Sequence, residues 1–157
     1  MGSGQCDAEI SEIAESVGRG IAEHGAVLIC GGGGGVMEAA ARGGAEAGGL
    51  VVGILPDDND GHANRWVELP IVTGMGNARN AINVLTAHAI IAIAGGPGTL
   101  SEIALAIKVG TPVVGLRTWD ALRNGIRYAE PEFQAVATPE DAVRLALSLA
   151  QRRVAGS

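Results

Sequence analysis

The stretch Ala89–Leu116, "AIIAIAGGPGTLSEIALAIKVGTPVVGL", decides the fold. It opens on an apolar run (Ala89–Ala94), crosses a glycine turn, passes through "LSEIALAIKVG" and closes on a second apolar run, "PVVGL". A strand that is apolar on both faces belongs to a sheet covered on both faces, which is typically a parallel sheet flanked by helices. The same alternation recurs upstream. "DAEISEIAESVGRGIAEHG" sets Ile10, Ile13, Ala14, Val17 and Ile21 on one helical face. Ala26–Cys30 reads as a short buried strand, "GGGGG" as a turn and "VMEAAARGGAEAGG" as a second helix. Leu50–Leu55 is the next strand, followed by the polar loop "PDDNDGHANRW" and a short strand over Glu68–Val72. "NARNAINVLTAH" reads as a helix, "FQAVA" as a strand, and Pro139–Arg152 as a closing helix with proline at its first position. The pattern predicts an α/β, Rossmann-like doubly wound parallel sheet in three layers, helix/sheet/helix, forming one nucleotide-binding domain over residues 1–157. Ligands in such folds bind beyond the carboxyl ends of the strands, where the glycine turns lie.

The start of the chain departs from this pattern. In most doubly wound folds the first strand is central, yet here "MGSGQCDAEI" leads into a helix almost at once. "GSG" has the form of the turn that follows a first strand. The strand itself is missing or truncated, or "MGSG" is foreign to the fold. A missing central strand leaves a gap and destabilises the sheet.

Composition narrows the function classes. The apolar share of 47% argues against disorder. The 25 glycines are about double the usual share of ~7% and cluster at strand–helix junctions without a period. A net charge of −6 with no basic stripe argues against a nucleic-acid binder. Cys6 and Cys30 have no metal-ligand spacing and His24, His62 and His88 are scattered, so no metal site is expected. Two free thiols fit a reduced cytoplasmic protein. No apolar run reaches the ~18 residues of a membrane helix, and no signal peptide is visible.

Three segments carry candidate chemistry. In "CGGGGGVME", Gly31, Gly32, Gly33, Gly34 and Gly35 join a strand to a helix, where backbone N–H groups and the helix N-terminus favour an anion. Neither the G-x-G-x-x-G nor the Walker pattern fits, and a tight turn for close packing is the structural alternative. In "GGPGTLSE", Thr99 as N-cap would put Glu102 at the third helical position, a capping box. The same carboxylate faces the open end of the strands, so a cap and a catalytic role compete for it. In "TGMGNARNAIN", Arg79 stands near a helix start within reach of the same cleft, suited to bind a phosphate or carboxylate in a bidentate fork. Asn77, Asn80 and Asn83 read mostly as structural. The acidic run Pro56–Asp60 reads as a solvated turn. Lys108, the only lysine, reads as a solvated helix residue rather than a Schiff-base lysine.

Together these segments resemble the LOG-like superfamily, the group often labelled "possible lysine decarboxylase", and most closely its bacterial branch related to the molybdenum-cofactor carrier protein. The resemblance runs from about Gly2 to Leu116. The family hallmark P-G-G-x-G-T-x-x-E is matched by Gly95, Gly96, Gly98, Thr99 and Glu102, with Ala94 in place of proline. The resemblance implies that Arg79 and Glu102 form a catalytic pair cleaving the N-glycosidic bond of a nucleoside 5′-monophosphate such as AMP, to free base and ribose 5-phosphate. It implies nucleotide or phosphate contacts from Gly31–Gly35, Met75, Gly76, Gly95, Gly96, Gly98 and Thr99. Active LOG enzymes commonly carry lysine where this chain has Asn80, and the carrier relatives bind a phosphate-bearing pterin without that reaction. The expectation is therefore a LOG-like nucleotide-binding protein, with hydrolysis as its activity. The alternative is a non-catalytic carrier for a nucleotide or the molybdenum cofactor. A dinucleotide-binding oxidoreductase, supported only by Asp57 after a strand, is the third class. No cofactor is required, the partner is a small nucleotide or pterin phosphate, and neither nucleic acid nor membrane is expected. The largely apolar helices Asn77–His88 and Leu100–Val109 point to a homodimer or higher homo-oligomer. Trp119, Tyr128 and Phe133 are read as core aromatics.

Overall fold

The computed structural model describes residues 1–119 and 133–155. Its elements alternate as expected: α1 (Ala8–Glu23), β1 (Leu28–Cys30), α2 (Val36–Glu46), β2 (Val51–Leu55) and β3 (Leu69–Val72). A short 3-10 turn, Gly76–Arg79, then leads into α3 (Asn80–Thr86), β4 (Ile90–Ile93), α4 (Pro97–Lys108), β5 (Val113–Leu116), β6 (Phe133–Val136) and α5 (Pro139–Ala155). Every strand pair is parallel, with Leu28 opposite Val51 and Val52 opposite Leu69 in one half. Ile90 stands opposite Val113, and Val113 opposite Phe133, in the other.

The sheet differs from a single doubly wound sheet in one respect. It is two three-stranded ladders, ordered β1-β2-β3 and β4-β5-β6, and β1 does not pair with β4. The chain start lies at this seam. Gly2 forms an isolated parallel bridge with Ile93, and Ile93 N–H donates to the Met1 carbonyl at 2.9 Å. "GSG" is thus no loose appendage. It holds the place of a turn at the end of a strand, and the Ser3 carbonyl accepts from Val36 N–H at 3.0 Å at the start of α2.

Helices cover both faces. β4 shows how alternate residues serve opposite layers. Ile91 and Ile93 join the cluster built with Val17, Val36, Leu116 and Val143 under α1, α2 and α5. Ile90 and Ala92 join Val84, Ile103 and Ala106 under α3 and α4. α1 starts where the Asp7 carboxylate accepts from Ile10 N–H at 2.8 Å, an ordinary N-cap. α1 and α2 then cross in close contact. A methyl group on Gly18 would strike the Ala40 carbonyl oxygen, and one on Gly43 the Glu15 carbonyl oxygen. α5 begins at Pro139, as expected, with the Thr138 hydroxyl accepting from Asp141 N–H at 3.1 Å.

Two sequence expectations change. Trp119 is 38% exposed rather than a core residue, because it lies beside Ala94, Gly95 and Thr118 in a small surface cavity. Phe133 does pack against the α3/α4 side of the core, and Tyr128 lies outside the described residues. The α1–α2 crossing yields a direct expectation. Gly18→Ala lowers the unfolding free energy by roughly 1–3 kcal/mol through overpacking, despite the ~1 kcal/mol that alanine gains in helix propensity. Urea denaturation checks this; an unchanged or higher midpoint would mean that the two helices part at no cost.

Candidate functional site

A cavity of about 850 Å³ runs along the seam between β1 and β4. Its inner part is an apolar slot bounded by Val27–Cys30 on one side and Ala89–Ile93 on the other. Its outer part opens at the carboxyl ends of the strands and is polar, lined by Gly31, Asn77, Arg79, Asn83, Thr99 and Glu102. This is where ligands bind in open α/β sheets.

Arg79 ends the 3-10 turn that precedes α3. Its guanidinium lies against the backbone of Gly31, where a Cβ would stand 2.6 Å from both terminal nitrogens. Only glycine admits that approach. Arg79 Nε is buried and has no hydrogen-bond partner, and Arg79 forms no ion pair among the described residues. The Cys30 thiol beside it does not compensate that charge. Burial pushes its pKa up, more than the Gly32 N–H and the nearby guanidinium pull it down, so it stays protonated at neutral pH. A buried guanidinium N–H without an internal partner costs free energy unless an acceptor from outside the protein meets it.

Glu102 is not a cap. α4 starts earlier than the spacing suggests, with Gly96 as N-cap and Pro97 at the first position. Proline has no N–H to leave unsatisfied and its φ is already helical, so it initiates the helix upstream of Thr99. Thr99 falls on the third helical residue and Glu102 on the sixth, beyond the reach of a capping box. The Glu102 side is 7% exposed, and Asn83 Nδ2 donates to its Oε1 at 3.5 Å, a long contact. Asn83 Oδ1 is buried without a partner. Asn83, read from the sequence mostly as structural, thus lies in the candidate site with Glu102. The signal was its position: it lies four residues after Arg79, on the same helical face, in mid-helix where no cap needs it.

The Met1 ammonium is a further group at this junction. It donates to the Ile91 carbonyl at 2.6 Å. Burial pushes its pKa down, and the charge of Glu102 opposes that shift.

The remaining glycines divide. Gly96 and Gly98 line the cavity with Thr99, and the N–H groups of this first turn of α4 are unused donors of the kind that receive anions. Gly32, Gly33, Gly34 and Gly35 lie outside the lining. The Gly32 and Gly33 carbonyls accept from Asn64 Nδ2 at 3.1 and 2.9 Å. Gly35, at φ +61, packs against Ser3–Gln5. Met75, 50% exposed, and Gly76 also lie outside it, while Gly95 lines the smaller cavity beside Trp119. Ala94 takes φ +45, a value that the proline of the hallmark motif cannot adopt. The Thr118 hydroxyl donates to its carbonyl, and its own N–H donates to the Leu116 carbonyl at 3.2 Å. Among the described residues no cluster of three His, Cys, Asp or Glu side chains is placed to hold a metal ion.

The chain belongs to the SLOG cluster4 family, whose model matches residues 1–144. It is 47% identical over 148 residues to an uncharacterized protein of Archaeoglobus fulgidus, covering 94% of this chain and 92% of that one. Among solved structures, it is similar to the molybdenum cofactor binding protein of the phototrophic bacterium Rippkaea orientalis. The identity is 40% and the TM-score 0.85, over 92% of this chain and 90% of that one. It is also similar to the Moco carrier protein of Chlamydomonas reinhardtii, at 35% identity and a TM-score of 0.86, over 97% and 95% of the two chains.

The contact between Arg79 and Gly31 is testable. Gly31→Ala moves the Arg79 guanidinium off the Gly31 backbone, because the added Cβ would stand 2.6 Å from both terminal nitrogens. A crystal structure of the variant reads the displacement, and an unmoved guanidinium would mean that the backbone gives way instead.

Proposed function

We propose that this protein binds and carries a phosphate-bearing small molecule of the molybdenum-cofactor type, without a chemical step. The observation that carries this reading is the Arg79 guanidinium, buried at Nε without a partner and laid on the Gly31 backbone at the cavity mouth. A guanidinium held this way suits a phosphate, with the N–H groups at the start of α4 as its second set of donors. Asn83 Oδ1, an acceptor without a partner, suits an N–H of a heterocycle such as a pterin. The likeness to a molybdenum cofactor binding protein and a Moco carrier protein supports the same reading. The cofactor is cargo here, and the reading needs no resident cofactor. It also makes the chain a cytoplasmic protein with reduced Cys6 and Cys30, both free thiols.

Glu102 favours a second reading. A buried carboxylate lining the same cavity as Arg79 is suited to stabilise the positive charge that develops on ribose when an N-glycosidic bond breaks, with water adding to the sugar carbon and the base leaving protonated. The Asn83 contact and Asn80 in place of lysine weigh against it.

One experiment separates the two. The protein is purified from cells that make the cofactor and assayed for molybdenum and for the fluorescent oxidised pterin, and in parallel incubated with AMP. Carrier function predicts near-stoichiometric pterin, lost in Arg79→Ala, and no adenine. Adenine released by the wild type and lost in a folded Glu102→Gln variant establishes hydrolysis instead.

The same proposal includes a homodimer through α3 and α4. Leu85 and Leu100 stand 61% and 40% exposed on these helices. Light scattering at micromolar concentration is expected to give twice the chain mass, and Leu85→Glu to halve it. A single chain mass for the wild type removes the dimer.

A further inference from the structure

The polar loop 56–66 touches both sides of the contact between Arg79 and Gly31. Its first residues hold the segment that leads to Arg79. Gly74 N–H donates to the Asp57 carbonyl at 2.8 Å and Gly76 N–H to the Pro56 carbonyl at 2.9 Å. Beside them the Thr73 hydroxyl donates to the Leu55 carbonyl at 2.6 Å. The last residues of the loop hold the glycine turn on which the guanidinium lies. Asn64 N–H donates to the Gly32 carbonyl at 2.8 Å, and Asn64 Nδ2 bridges the carbonyls of Gly32 and Gly33 at 3.1 and 2.9 Å. Between its ends the loop is braced on itself. Ala63 N–H donates to the Asp60 carbonyl at 3.0 Å, and Gly61 N–H to the Asn59 side-chain oxygen at 3.0 Å.

One orientation of the Asn64 carboxamide fits this setting. Its oxygen accepts from Trp66 N–H at 3.1 Å, and Trp66 packs against the core. Turned over, the oxygen would face two carbonyls and the NH2 group would face an N–H, so the network fixes which end donates. The bond to Trp66 is the local turn that asparagine makes with the residue two positions on. The bonds to Gly32 and Gly33 are additional to it and reach across the fold. The glycine turn needs such a hold from outside. A run of glycines has no side chains to anchor it and is costly to order. Gly32, at φ +74, sits so close to Leu55 that a Cβ would strike that side chain. We infer that Asn64 is a positioning residue of the candidate site: through the Gly32 and Gly33 carbonyls it fixes the Gly31 backbone, and with it the place of the Arg79 guanidinium. Asn64 does not itself line the cavity. The inference deepens the carrier reading and rests on it only for the claim that Arg79 receives a phosphate.

The test is hydrogen exchange at Arg79 Nε–H, followed by NMR on the full chain without ligand and assigned by its loss in Arg79→Ala. Asn64→Ser keeps an oxygen for Trp66 N–H but is too short to bridge the two glycine carbonyls. It is expected to speed exchange at Arg79 Nε–H by roughly tenfold or more. Arg42 Nε–H, bonded to the Glu15 carboxylate at 2.9 Å, is the control in the same spectrum and is expected to stay unchanged. Unchanged exchange at Arg79 overturns the inference. Faster exchange at both arginines also overturns it, since that marks a general loosening. Asn64→Ala is judged by the same comparison should Asn64→Ser fail to fold. Titration with inorganic phosphate keeps the two readings apart. The affinity lost in Asn64→Ser is expected to vanish as a difference in the Arg79→Ala background, and a loss that persists there overturns the positioning role. A wild type that takes up no phosphate removes the phosphate-carrier reading, and the exchange result then decides the role of Asn64 alone.

Discussion

The seam between β1 and β4 is the constraint on which the rest depends. Two parallel ladders meet there without a shared set of hydrogen bonds, so their relative position rests on what crosses between them. Three things cross. The Met1–Gly2 segment ties itself to β4 and, through Ser3, to the start of α2. One apolar cluster draws residues of both ladders, Leu28 and Val51 from one and Ile93 and Val114 from the other, under the same helices. Arg79, carried on the segment between the ladders, lies on Gly31 at the end of β1. The first two crossings position the third, and the third is the centre of the candidate site.

This arrangement explains why the site joins residues from distant parts of the chain. Parallel strands end on the same side, so the turns after β1 and β4 open into one space. Gly31 supplies room at the end of β1, and α4 supplies N–H groups after β4. α3 enters the same space and aligns Arg79 and Asn83 on one face. The electrostatic character follows. The Arg79 guanidinium forms no ion pair among the described residues, and its Nε is buried without a hydrogen-bond partner, in a chain whose net charge is −6.

Much of the fold was legible because the strands are short apolar runs punctuated by glycine and proline. Ile90–Ile93 and Val113–Leu116 are buried at every position and admit no other reading. Helix boundaries were less legible. Thr99 and Glu102 fit a capping box by spacing, but Pro97 starts α4 earlier, and a spacing rule cannot tell which of two start signals prevails. The five-glycine run was read as a ligand cradle as a whole. In the fold only Gly31 lines the cavity, while Gly32 and Gly33 use their carbonyls for Asn64 and Gly35 makes room for the chain start. Those contacts join residues about thirty positions apart, and local pattern carries no information about them.

The sequence alone determined the layer order, the parallel sense of the strands and the place of Arg79 and Glu102 in one cleft. Each follows from local periodicity, turn chemistry or motif order. Tertiary structure alone decided that Glu102 meets Asn83 rather than a helix-start N–H, and that Arg79 rests on Gly31 with a buried nitrogen unpaired. It also decided that β1 and β4 do not pair directly. The physical reason is common to all three. Each is a matter of which groups lose water together and which partners they then meet. That depends on the approach of segments distant in the chain, and no local propensity encodes it.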